Sequence, residues 1–236
     1  MLKLTGVGKL FGSRVVLRNI SFAATASSIN LLVGTNGAGK TTLLRIIAGL
    51  SKPSVGTVER HCDPRELGYL GHATFIYPGL SALENLAFWS GLYGIAHDRS
   101  SLIALLKRVE LSRFAEEQAG TFSRGMSQRL NLARVLLQSP RVLLLDEPDT
   151  GLDTHSLALL HKEIIHAKTM GACVVWITHD WEHDAAYADR ILAISHKTLA
   201  YDGPTINWPG MEKLETSYER EKHNQQRDNT SGSFIC

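Results

Sequence analysis

Two stretches of this sequence place residue types in an order that handles phosphate. Gly34-Thr35-Asn36-Gly37-Ala38-Gly39-Lys40-Thr41 fits G-x-x-x-x-G-K-[ST], after the apolar run Ile29 to Val33 and before Leu43, Leu44, Ile46 and Ile47 at helical spacing. Glycines let such a loop wrap a phosphate with its backbone N–H groups pointing inward, and the helix that follows adds its partial positive charge. Gly34 through Thr42 are the nucleotide-binding candidates, with Lys40 expected at the β and γ phosphates of a nucleotide and the Thr41 hydroxyl on Mg²⁺, a cation that prefers oxygen. The second stretch, Val142-Leu143-Leu144-Leu145-Asp146-Glu147, is an apolar strand ending in two carboxylates. In phosphoryl transfer the first such acid holds the metal, here through water, which leaves Glu147 to orient the attacking water. Alone, the pair also reads as two surface acids at a strand end; a separate phosphate loop argues for catalysis.

Positioning these groups requires a sheet. Ile29 to Val33, Val142 to Leu145, Cys173 to Ile177 and Ile191 to Ile194 are short apolar runs between amphipathic helical patterns, as in a mainly parallel α/β sheet buried on both faces. The charged residues follow the strands at their carboxyl ends, where ligands gather in such sheets. From about Gly71 to Gln138 helical periodicity dominates, and a helical subdomain is expected over about 72–138. Ser81-Ala82-Leu83-Glu84 matches a capping box, and Asp98 is an N-cap candidate ahead of Leu102, Leu105, Leu106 and Val109, which share one face. After Pro209 the chain turns polar, so residues 1–210 are expected to form the folded domain and 211–236 a flexible tail. Each motif occurs once, so a paired arrangement requires two chains.

Composition excludes several classes. The chain has 236 residues, 44% hydrophobic and 20% charged, with Lys+Arg 25 against Asp+Glu 23. That balance argues against a polybasic nucleic-acid binder and against a disordered chain. The longest apolar stretches are strand-length, well short of the roughly 20 residues that span a bilayer. The start, Met1-Leu2-Lys3-Leu4, has no signal-peptide pattern, so residence in the cytosol is expected. Cys62, Cys173 and Cys236 are an odd, scattered set, read as reduced thiols. His61, His97, His155, His161 and His166 are read as solvated surface residues.

The two phosphate-handling motifs alone also suit a kinase or a GTPase, and the residues between them decide the class. Phe122-Ser123-Arg124-Gly125-Met126-Ser127-Gln128-Arg129 resembles the L-S-G-G-Q-x-Q-R signature of the ABC ATPase family. Physically it is a helix N-terminus with a hydroxyl and a glycine, suited to an anion. Thr150-Gly151-Leu152-Asp153 resembles that family's D-loop, and His179 in Ile177-Thr178-His179-Asp180 its switch histidine. The resemblance implies an ABC-type P-loop fold with an N-terminal antiparallel β part and two chains facing head to tail. Ser123, Arg124, Gly125 and Met126 would then act on the partner chain's ATP, His179 would contact the γ-phosphate, and Phe11 would stack on adenine. Catalysis would fall to Lys40, Glu147 and His179, with the metal held by Thr41 and Asp146. His72 stands where the family has its Q-loop glutamine, and Arg124 and Met126 replace the usual Gly and Gln. Arg124 either adds a cation near the nucleotide or faces solvent.

Tyr69-Leu70-Gly71-His72, Ser81-Ala82-Leu83-Glu84-Asn85-Leu86, Thr121-Phe122-Ser123-Arg124-Gly125-Met126 and Thr178-His179-Asp180-Trp181 together resemble the heme exporter ATP-binding subunits of bacterial cytochrome c maturation. That resemblance implies integral membrane partner subunits, a second copy of the chain, and a peripheral place on the cytoplasmic face of the inner membrane. Alternatives are an ABC exporter for a drug, lipid or polysaccharide, or a soluble ABC ATPase acting on ribosomes or DNA.

Overall fold

Leu2 and Leu4 are buried while Lys3 and Thr5 face solvent, the period-two pattern of a strand with one wet face. This strand, β1 (Leu2–Phe11), pairs antiparallel with β2 (Arg14–Ala24) and β4 (Val55–Arg60) in a three-stranded sheet of order β2-β1-β4. The computed structural model describes residues 1–71, 73–213 and 216. A larger sheet comprises β3 (Ser28–Gly34), β5 (Leu67–Leu70), β6 (Val142–Asp146), β7 (Cys173–Ile177), β8 (Arg190–Ser195) and β9 (Thr198–Pro204), in the order β5-β6-β7-β3-β8-β9. All neighbours in it are parallel except β9, which turns back on β8 as an antiparallel edge.

Every residue of β6 and β7 is buried, as expected of strands covered on both faces. Alternate residues feed two apolar layers. Leu144, Val175 and Leu32 point toward Leu43, Leu44, Ile46 and Ile47 of helix α1 (Lys40–Ile47) and toward the small sheet. Leu143, Leu145, Val174 and Trp176 pack with the helices on the opposite face.

Between β5 and β6 the chain forms a lobe of α2 (Ala82–Tyr93), α3 (Arg99–Arg108) and α4 (Arg124–Leu136). Its starts follow local chemistry. The Ser81 hydroxyl accepts from the Glu84 N–H at 3.1 Å while the Glu84 carboxylate accepts from the Ser81 N–H at 2.7 Å, and Asp98 accepts from the Ser101 N–H at 2.8 Å. Leu102, Leu105, Leu106 and Val109 are all buried. Arg134 ties the lobe to the sheet: it donates to the Tyr93 hydroxyl (2.8 Å) and the Tyr69 carbonyl (3.2 Å), with Phe75 and Trp89 rings over its guanidinium. Two further α-helices flank β7, α5 (Thr154–Thr169) before it and α6 (Trp181–Asp184) after it. Among the described residues no helix is long and apolar enough to cross a membrane.

Candidate functional site

β6, β7 and β3 are neighbours in the sheet, and the carboxyl end of each delivers one part of a site. From β3 the chain enters the glycine loop. Gly39 closes it at φ 103°, where an added Cβ would lie 2.7 Å from Leu17 Cδ2 and 3.2 Å from the Val16 carbonyl, so conformation and contact both demand glycine. Gly34 is pinned from the other side, since a Cβ there would meet the Ile194 carbonyl at 2.5 Å. Helix α1 then begins without a side-chain cap and without an acidic residue in its first turn. Its leading N–H groups and positive dipole end are therefore open to an anion.

The Lys40 ammonium donates to the carbonyls of Gly34 (2.7 Å) and Thr35 (3.3 Å). Burial holds its pKa below the ordinary lysine value, while the charges of Glu147 and Asp146 pull it back up. Asn36, Gly37, Ala38, Gly39, Lys40, Thr41 and Thr42 line a cavity of about 280 Å³ closed by Arg14, Val16 and Glu147.

Asp146 ends β6 and is buried. Its Oδ1 accepts from the Thr41 hydroxyl at 3.0 Å and its Oδ2 from the Tyr69 hydroxyl at 3.1 Å. A hydroxyl and a carboxylate in contact are the hard oxygen donors Mg²⁺ takes, so the residues present fit that ion. Burial, with the Asp146 charge beside it, pushes the Tyr69 pKa up to about 12. Glu147 adopts φ 53°, an uncommon backbone for a non-glycine residue. Its Oε1 lies 2.8 Å from Nε2 of His179, whose side chain is half exposed beyond β7. Lys40, Thr41, Asp146, Glu147 and His179 thus come from three strand ends to one place.

The signature residues sit elsewhere. Ser123 caps α4, its hydroxyl accepting from the Met126 N–H at 3.2 Å, and Met126 is half-buried against the core. Of the two readings of Arg124, the structure bears out the solvent-facing one: the residue is exposed, and its guanidinium also donates to the Thr150 carbonyl at 3.1 Å. Asp153 caps α5 by accepting from the Ser156 N–H at 2.7 Å, and a Cβ on Gly125 would lie 3.4 Å from its Oδ2. Signature and D-loop positions therefore form one cluster, which contributes no wall to the phosphate cavity. Phe11 ends β1 at 56% exposure with the Lys9 ammonium 4.9 Å from its ring centroid. His72 lies outside the described residues, as does nearly all of the expected polar tail.

Three residues at the site are absent from the motif reading. Arg14 and Val16 reach the cavity because the β1–β2 hairpin folds over the loop, and Tyr69 reaches Asp146 because β5 lies beside β6. The solvated reading of the histidines needs correction at two positions. His97 contacts the Leu137 carbonyl at 3.1 Å, and the His161 side chain is only 11% exposed, between the rings of Trp176 and Tyr187. The apolar positions around His161 bury an imidazole that sequence spacing leaves outside. Among the described residues no three His, Cys, Asp or Glu are grouped to hold a metal by themselves.

Residues 17–150 match the ABC transporter family model. The chain is similar to the Fe(3+) ions import ATP-binding protein FbpC 2 of Haemophilus influenzae, 32% identical over 225 residues, which cover 88% of this chain and 63% of that protein. It is likewise 32% identical over 207 residues to the uncharacterized ABC transporter ATP-binding protein YybJ of Bacillus subtilis, covering 84% of this chain and 94% of the relative. Among solved structures, a dimeric ATP-binding cassette in a post-hydrolysis state bound to ADP and Pi superposes with TM-score 0.77 at 26% identity, over 88% of this chain and 100% of that one. An ATP-binding subunit of an ABC transporter superposes with TM-score 0.82 over 92% and 98% of the two chains; at 22% identity it speaks to the fold alone.

Proposed function

We propose, from the premise that this chain belongs to the ABC transporter family of ATP-binding proteins, that it binds ATP with Mg²⁺ and hydrolyses it as the motor subunit of a membrane transporter. One observation carries the reading: the Thr41–Asp146 and Glu147–His179 contacts converge on the glycine loop that holds Lys40. In this reading Lys40 exchanges the carbonyls of Gly34 and Thr35 for β and γ phosphate oxygens. Thr41 would hold Mg²⁺ directly and Asp146 through water, and the ion would supply positive charge to the phosphates. Glu147 orients the attacking water, and His179, already on Glu147, faces the γ-phosphate. Positioning and fixed charge supply most of the rate in such a transfer.

The site is completed by a second copy. Ser123, Arg124, Gly125 and Met126 stand apart from their own chain's cavity, which favours their capping a partner's ATP with the helix end at Ser123, and the solved relative holding ADP and Pi is a dimer. In domain terms, residues 1–210 are the ATP-binding unit with a helical subdomain over about 72–138, and 211–236 a tail. For the cargo we adopt heme export for cytochrome c maturation, on the residue strings of the sequence alone. Relatives named for Fe(3+) import, linearmycin resistance and Nod factor export favour no single cargo, and an exporter for a drug, lipid or polysaccharide is the second reading.

Capture of the chain from native membranes tests the assignment. Polytopic membrane proteins are the expected companions, and ribosomal proteins in their place would reject the transporter reading. Unchanged c-type cytochromes in cells carrying only Glu147→Gln would reject heme alone.

A further inference from the structure

The turn that carries His179 is tied down by side chains the hydrolytic reading does not use. Thr178 follows β7 and is buried; its hydroxyl donates to Asp184 Oδ2 and accepts from the Asp180 N–H at 3.0 Å. The Asp184 N–H donates in turn to the Asp180 carbonyl at 3.0 Å. His179 therefore sits between two residues knitted to one hydroxyl. Asp184 is 2% exposed, and its other oxygen lies 3.1 Å from Nε2 of His161 on α5, in ion-pair range though off the line of a full hydrogen bond.

A carboxylate removed from water persists only where donors or a cation face it, and apolar side chains would fill these positions with less penalty. Packing therefore does not explain the pair. Asp184 has two partners, one at the strand end and one on α5, so it fixes the distance between those elements. His161 is itself confined by rings, with centroids 5.5 Å (Trp176) and 4.5 Å (Tyr187) away. It lies eight residues beyond Asp153, the N-cap of α5, roughly 12 Å along the axis. The same helix thus carries the D-loop aspartate at one end and an anchor for the histidine turn two turns later.

We propose that His161 is a positioning residue: through Asp184 and Thr178 it fixes the turn that presents His179 to Glu147. The inference rests on the reading of His179 and Glu147 as the hydrolytic pair. His161 touches neither nucleotide nor reacting water; it removes freedom from a turn whose histidine is half exposed and otherwise able to swing.

The test compares His161→Phe, which keeps a ring between Trp176 and Tyr187 but loses the N–H, with His161→Gln, which keeps a donor toward Asp184. In the full chain, kcat for ATP hydrolysis is expected to fall about tenfold in the Phe variant, a loss typical of a misplaced reacting group, and to recover to within about threefold in the Gln variant. KM for ATP should stay within about twofold in both, which also shows that the phosphate loop is folded. The ¹⁵N imidazole resonances of His179 should move in the Phe variant and return in the Gln variant. A Phe variant with parental kcat, or a Gln variant no better than Phe, overturns the proposal. His179→Ala is measured alongside. If it keeps parental turnover, the hydrolytic reading of His179 fails, and the positioning claim is then decided by the resonances, which overturn it if they do not move.

Discussion

The glycine-loop end of the molecule and the signature end are both helix N-termini, yet they are finished differently. At the first, α1 starts uncapped, and a lysine, two carboxylates and a histidine from three strand ends surround the opening. At the second, α4 is capped by Ser123, and its neighbours Arg124 and Gly125 engage the D-loop segment, not a cavity. The first is prepared to hold a ligand unaided. The second has its own hydrogen bonds settled and offers a surface. One chain thus presents two differently finished helix ends that do not meet within it, and in the proposed dimer the first would grip an ATP that the partner's second would cap.

The strongest way to break that comparison is to remove the water-orienting group from the gripping half. Glu147→Gln should lower turnover by at least about 100-fold while ATP binding persists, because general-base or water-orienting roles contribute on that scale. Parental hydrolysis by this variant in a steady-state assay would remove Glu147 from the mechanism. Next in size, Lys40→Ala should weaken ATP binding itself, read by direct titration; an unchanged affinity would contradict the phosphate-loop assignment.

The capping half is probed by mixing. Gly125→Asp puts a carboxylate beside Asp153 and toward a partner's phosphates, so it should abolish turnover while leaving the chain's own ATP affinity near parental. Mixed with Lys40→Ala chains, it should recover up to about a quarter of parental activity, since half of the dimers would then hold one intact composite site. No recovery would mean that each chain works alone or that both sites must fire together.

The smallest effect is expected at Tyr69. Its folded pKa of about 12 lies above the ordinary tyrosine value, so its contribution to stability is complete below pH 10 and is lost as pH rises toward 12. Tyr69→Phe should flatten that alkaline decline in denaturant melts, with turnover at neutral pH little changed. An alkaline decline as steep in the variant as in the parent would show that the Tyr69–Asp146 contact contributes nothing.

What the sequence revealed follows from the range of each interaction. The loop, the strand ending in Asp146-Glu147, the capping box at Ser81, the N-cap at Asp98, and the parallel strands are all readable because their determinants lie within a few residues. Arg14 and Tyr69 are not, because each reaches the site through a strand pairing, β1 with β2 and β5 with β6, that leaves no local mark. His161 was misread for the same reason. Its spacing on α5 says nothing of Trp176 and Asp184, which come from elsewhere in the chain. Arg124 faces solvent as one of its two readings has it, but its contact with the Thr150 carbonyl is not legible, because no residue identity announces a backbone acceptor.

At Gly39 the small sheet and the phosphate loop touch with only hydrogen where a side chain would stand, against Leu17 and the Val16 carbonyl of β2. The same sheet packs on α1 through Leu17 and Ile20, and Arg60 of β4 donates to the Ile46 and Ile47 carbonyls, so the hairpin that bears Phe11 and the helix that bears Lys40 share one buried seam, and a side chain forced in at Gly39 would wedge that seam open.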